Sequence, residues 1–179
     1  MDRKGKFWIM SECIDKRAAN VVKLLSDKGK KAATAESCTG GLVSAAITSV
    51  SGSSEVFEMG VCSYANRIKQ DVLGVTAQAL ENFGAVSEQV AKEMAQGVME
   101  RSGSDFGLST TGIAGPTGGT EEKPVGTVWI GVCSKNSCHA ERFLFGTEGC
   151  PEGLAEREYI RRQAVCKALE LLHTEIEKS

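Results

Sequence analysis

The residues able to do chemistry gather at three places. The first is Thr34 to Gly41, TAESCTGG. A short strand-like run, Lys30 to Ala35, leads into it, and a helix with an apolar face starts near Leu42. A strand-to-helix turn of this kind sets free backbone N–H groups and the positive end of a helix beside a nucleophilic side chain. Ser37 is the nucleophile it offers, with Thr39 and Gly40 placed to hold an anion or oxyanion. Ser37 or Thr39 serves equally well as a helix cap, and Cys38 is a second nucleophile of the kind that helix termini activate.

The second place is Ser63 to Lys69. A serine triad needs a histidine, and the chain has only His139, on a hairpin strand, and His173, on a polar stretch of the last helix. A lysine whose pKa is lowered by burial or by a cationic neighbour can replace it. Lys69 is the candidate, with Arg67 as neighbour and Tyr64 as relay; the plain alternative is a solvated surface lysine. The third place is Gly112 to Thr120, GIAGPTGGT, at the end of a strand that carries Thr110 and Thr111. Gly112, Gly115, Gly118 and Gly119 let successive N–H groups face a concavity that suits phosphate, and Thr111 stands at the strand end where ligands collect in open α/β sheets. No Gly-Lys-Ser/Thr closes the loop and no long helix follows at once, so it is neither a Walker A loop nor a dinucleotide fingerprint. A mobile surface loop is the alternative.

These places need elements to hold them. Apolar spacing predicts a helix over Ile14 to Lys28, stopped by Gly29, and another from about Thr39 to Ser49. Val56 to Tyr64 reads as a strand, and Asn66 as the cap of a short helix, Arg67 to Leu73, that ends at Gly74. Thr76 opens a helix to Phe83, and Ser87 caps a longer one to Arg101 that Gly103 closes. Strands follow over Asp105 to Thr111, Val125 to Cys133 and His139 to Phe145, then a helix over Pro151 to Lys178. Alternating helices and strands predict a single three-layer α/β/α sandwich over residues 1–179. The late hairpin makes its sheet mixed.

Composition narrows the function classes. A net charge of −2 gives no nucleic-acid footprint. No apolar run is long enough to span a bilayer, and Met1 to Met10 lacks a secretory pattern, so the expected location is cytoplasmic. The seven cysteines form no C-x-x-C pair. Cys133, Cys138 and His139 lack the second half of a structural zinc site, so no metal or cofactor is expected and the thiols are read as reduced and mostly buried.

Four segments taken together resemble one family: TAESCTGGL (34–42), GVCSYANRIKQDVLGV (60–75), GAVSEQVAKEMAQG (84–97) and TTGIAGPTGGTEEKPVGTVWIG (110–131). In content, order and spacing they are similar to the CinA C-terminal domain family, the nicotinamide-nucleotide amidohydrolases. Arg157, Arg161 and Ala164 continue the pattern, while Gly146 to Gly153 looks longer than the family's usual short, basic loop. The resemblance implies a stand-alone, homo-oligomeric α/β/α domain. It would hydrolyse the carboxamide of nicotinamide mononucleotide by a metal-free serine mechanism. The family's serine, tyrosine and lysine fall on Ser37, Tyr64 and Lys69, and its threonine before the glycine loop falls on Thr111. The contrasting expectation is a catalytically silent nucleotide-binding or regulatory module of the same fold.

Overall fold

The computed structural model describes the backbone of residues 3–179, with side chains from Met10 onward. Five strands, β1 (Ala32–Glu36), β2 (Phe57–Cys62), β3 (Phe106–Gly112), β4 (Thr127–Ser134) and β5 (Cys138–Leu144), form one sheet in the order β2-β1-β3-β4-β5. β1 is parallel to both β2 and β3, while β4 and β5 are antiparallel additions. This is the mixed sheet expected.

Helices cover both faces. α1 (Arg3–Lys28), α2 (Leu42–Thr48) and α6 (Glu156–Glu177) lie on one side, and α3 (Asn66–Leu73), α4 (Ala77–Phe83) and α5 (Glu88–Ser102) on the other. β1 shows why both faces had to be covered. Its five residues are all buried, with Ala32 in the α1/α2/α6 core and Ala33 and Ala35 in the α3/α4/α5 core. Strand side chains alternate faces, so a strand buried throughout must lie in the middle of three layers. α6 presents Ile160, Ala164, Ala168, Leu172 and Ile176 to the first core, and α5 presents Val90, Met94 and Val98 to the second. Among the described residues no helix is long and apolar enough to cross a membrane.

Gly29, Gly74 and Gly103 follow α1, α3 and α5 with positive φ, as their positions predict. Thr76 and Ser87 cap α4 and α5 through their hydroxyls. Four details differ from the sequence reading. α6 begins at Glu156 rather than Pro151. α1 begins well before Ile14. α2 begins at Leu42, because Gly40 and Gly41 adopt positive φ and break any helix from Thr39. The N-cap of α3 is Ala65, which makes Asn66 its first helical residue.

The cysteines need a correction. Cys133 and Cys138 stand opposite each other in the β4–β5 ladder and their sulfurs are bonded, so this pair is not reduced. Sequence spacing concealed it because a hairpin turn brings the two together. Of the five free thiols only Cys38 is buried.

The parallel arrangement sets the site. Glu36, the last residue of β1, pairs with Cys62 on one side and Thr110 on the other. The Ser63 N–H donates to Glu36 O at 2.8 Å, and the Ser37 N–H donates to Thr110 O at 2.9 Å. All three chemistry-bearing stretches therefore leave the sheet at the same end.

Candidate active site

The turn after β1 is held from within. Glu36 is 1% exposed, and every partner of its side chain is a donor. Thr39 Oγ1 lies at 2.7 Å, Gly41 N at 2.9 Å, Val43 N at 3.0 Å, Ser44 N at 2.8 Å and Ser44 Oγ at 2.7 Å. Five donors on two oxygens offset the cost of burying the carboxylate. They also take up the first N–H groups of α2. This narrows one expectation: the N–H groups of Gly41, Val43 and Ser44 are taken by Glu36, so the turn's N–H groups left unpaired among the described residues are those of Cys38, Thr39 and Gly40.

The same network fixes Thr39 and Gly40. Thr39 is fully buried, and its hydroxyl, spent on Glu36, accepts from Thr110 Oγ1 at 2.6 Å. Gly40 is exposed and packs beside Arg161, whose guanidinium nitrogen lies 3.3 Å from where a Cβ would stand. Neither residue lines the cleft beside Ser37.

That cleft, of about 270 Å³, brings the other candidates together. Ser37, Tyr64, Lys69 and Thr111 line it, with Gly112, Gly115 and Gly118 from the loop, while Gly119 turns back against Val125. Lys69 comes from α3, yet its side chain points inward and is 1% exposed. Its Nζ donates to Ser63 O at 2.7 Å and lies 3.2 Å from Ser37 Oγ. Burial holds its pKa below the ordinary lysine range. Arg67 plays no part in this: it points outward and pairs with Asp71 at 2.9 Å. The expectation of cationic repulsion is thus replaced by desolvation alone.

A neutral amine suits this geometry. One N–H donates to Ser63 O, and the lone pair is free to accept the Ser37 hydroxyl proton. Cys38 is a poor rival. It is 5% exposed and its thiol, chiefly through burial, is pushed up to about 12. It stays protonated at neutral pH.

Thr111 donates its hydroxyl proton to Ala85 O at 2.7 Å, which leaves it only an acceptor toward the cleft. Tyr64, 66% exposed, stands at the rim rather than over the lysine. Its hydroxyl accepts from Arg157 at 2.8 Å, and the same guanidinium donates to Gly115 O at 2.6 Å. Arg157, from the first turn of α6, therefore bridges the two lips of the cleft. Sequence reading found Arg157 only as a match of pattern, since the signal is a contact between residues far apart in the chain. In the glycine loop, the N–H groups of Ala114, Gly115, Thr117 and Gly118 have no acceptor among the described residues.

Comparison with known proteins agrees with this architecture. The CinA C-terminal domain family matches residues 14–176. A CinA-like protein of Chlorobium limicola is 54% identical over 127 residues, 71% of this chain and 30% of that protein. The competence/damage inducible protein CihA of Agrobacterium tumefaciens superposes with a TM-score of 0.82 at 40% identity, covering 89% of this chain and 93% of its own. A CinA superfamily protein of Klebsiella pneumoniae gives 0.84 at 30% identity, covering 93% and 99%. The chain spans only 30% to 38% of the length of the curated relatives it matches. By the extent of these matches, the chain belongs to the CinA C-terminal domain family.

Proposed function

We propose that this chain hydrolyses the carboxamide of nicotinamide mononucleotide to nicotinate mononucleotide and ammonia, with Ser37 as nucleophile and Lys69 as proton shuttle. The observation that carries the reading is the buried amine of Lys69, 3.2 Å from Ser37 Oγ at the floor of an open cleft. An unreactive amide needs an activated nucleophile and an acid for its leaving group, and one neutral amine beside a hydroxyl supplies both in turn.

The steps balance with this chain's own groups. Lys69 takes the Ser37 hydroxyl proton as the oxygen attacks the carboxamide carbon. The ammonium then gives that proton to the departing nitrogen, leaving an acyl-serine ester and ammonia. Lys69, neutral again, takes a proton from water, and the resulting hydroxide attacks the ester. The proton returns to Ser37 Oγ as the carboxylate leaves.

The nucleotide part of the substrate suits the rest of the cleft. Unpaired loop N–H groups and the Arg157 guanidinium favour a phosphate. Thr111, left only an acceptor, suits a ribose hydroxyl. A volume of about 270 Å³ sits just under the usual range of about 300–1,000 Å³ for ligand pockets, which fits a mononucleotide better than a dinucleotide.

The test is to incubate the purified protein with nicotinamide mononucleotide and measure ammonia and nicotinate mononucleotide. Equimolar release supports the reading. Tight binding without release identifies a silent nucleotide-binding module instead.

A further inference from the structure

Two charged side chains grip the turn that carries Ser37, and they take opposite halves of its backbone. Glu36 takes N–H groups of Gly41, Val43 and Ser44. Arg161, from α6, takes carbonyls: its Nε donates to Cys38 O at 3.2 Å and one terminal nitrogen donates to Thr39 O at 2.7 Å. The other terminal nitrogen pairs with Glu158 at 2.8 Å, and Glu158 in turn holds Arg162 at 2.9 Å. All three guanidinium nitrogens are thus engaged, and the group is fixed before any substrate arrives.

We propose that Arg161 is a positioning residue for the nucleophile: its fork on the Cys38 and Thr39 carbonyls sets the direction in which Ser37 presents its hydroxyl to Lys69. Three observations carry this. Cys38 directly follows the nucleophile, so the Cys38 and Thr39 peptides fix the path by which the chain leaves Ser37. A peptide is planar, so a carbonyl held on one side fixes the N–H of the next residue on the other. Finally, Arg161 is not among the residues lining the cleft, unlike Arg157. Glycine at position 40 belongs to the same device. Its positive φ and the 3.3 Å approach of the Arg161 guanidinium leave little room for a side chain.

The inference rests on the serine–lysine reading of the site, so its test carries a readout independent of the proposed substrate. Arg161→Ala and Arg161→Lys are compared with wild type in two assays. The first is steady-state hydrolysis of nicotinamide mononucleotide. A positioning role predicts a kcat loss of about 10²-fold in Arg161→Ala, the scale expected of misplacing a reacting group by an ångström. It also predicts a nearly constant KM and an unchanged pH profile, since Lys69 is untouched. A single ammonium cannot reproduce a fork, so Arg161→Lys should remain impaired although it keeps the charge. Guanidinium ion added to Arg161→Ala should restore part of the rate.

The second assay is the rate at which a fluorophosphonate labels Ser37, where Oγ attacks phosphorus and fluoride leaves. Labelling should slow in parallel with kcat. Should the wild type label but release no ammonia, slower labelling of Arg161→Ala still supports the positioning role while the substrate assignment fails. Equal labelling of both folded proteins overturns the inference. So does a rise in KM at constant kcat, which would make Arg161 a binding residue. If Arg161→Ala does not fold, the labelling rate of Arg161→Lys decides, and a wild-type rate there overturns the proposal.

Discussion

Glu36 and Lys69 are both 1% exposed and lie close to the same serine, yet their surroundings differ in kind. Glu36 has five donors on two oxygens, all within 3.0 Å. Lys69 has one carbonyl and one serine hydroxyl, and burial depresses its pKa. A buried charge that is fully partnered is held in place and has nothing left to give to chemistry. A buried amine with few partners is pushed toward its neutral form, where it can act as a base. The contrast separates a group that builds the turn from a group left able to accept a proton beside it.

The contrast is tested most severely at the serine. Ser37→Ala should lower kcat/KM for nicotinamide mononucleotide by about 10³-fold or more, as loss of a covalent nucleophile does, with an unchanged thermal midpoint. Cys38→Ala should keep most of the activity, because its thiol is protonated at neutral pH. A swapped outcome would move the nucleophile to Cys38. At the lysine, Lys69→Arg should be nearly as inactive as Lys69→Ala, because a guanidinium keeps the charge but releases no proton. Retention of more than about a tenth of the wild-type rate would reduce Lys69 to an electrostatic role and make Tyr64 the leading shuttle.

Glu36→Gln probes the other side of the comparison. The amide keeps the shape but turns one oxygen into a donor facing donors. Two or more buried N–H or O–H groups lose their acceptor, at about 1–3 kcal/mol each. The variant should therefore lose about 3 kcal/mol or more in denaturant unfolding. A near-native midpoint would mean that the five bonds are replaceable and that Glu36 is not what fixes the turn.

Much of this was legible in the sequence. Glycines with positive φ end helices where they were expected, and Thr76 and Ser87 cap as their types predict. These are local effects, settled within one turn of chain. Ser37, Lys69 and Thr111, singled out by residue type and by the family resemblance, line one cleft. What could not be read depends on contacts across the fold. Glu36 stood in plain view in the motif, but its role appears only when the turn folds back over it. Arg157 and Arg161 reach the site from α6, over a hundred residues from Cys38 and Thr39 in the case of Arg161. Sequence proximity does not fix the side of a helix: Arg67 faces solvent and Asp71, while Lys69 two residues on faces the core.

The rate should report the amine directly. A general base must be unprotonated, so log kcat/KM should rise with pH and level off above the pKa of Lys69 in the free enzyme. Its depression places that midpoint below the ordinary lysine value of about 10.4. A limb centred at the ordinary value would show that the cleft hydrates the amine, and the contrast with Glu36 would lose its physical basis.

The smallest effect concerns stability, and its sign follows from the same burial. The folded-state pKa of Lys69 is lower than its unfolded value. Between the two, the unfolded chain binds more protons, so stability rises with pH across that window. The cost of holding Lys69 inside is complete below the folded pKa and fades as the pH approaches the unfolded value. Lys69→Met removes the titrating group while keeping much of its apolar stem. The variant should be inactive yet more stable at neutral pH, by on the order of 1 kcal/mol, the usual gain when a functional compromise is relieved. For a chain of this size that is a rise in Tm of about 2–4 °C. The gain should shrink as the pH is raised toward about 10, where a lysine in the unfolded chain also loses its proton. Ser63 O loses its Lys69 donor in the variant, which offsets part of the gain at every pH without changing its pH dependence. Thermal melts of both proteins across that range decide the matter: a difference that stays flat with pH would mean that Lys69 is not held in a depressed state by the fold.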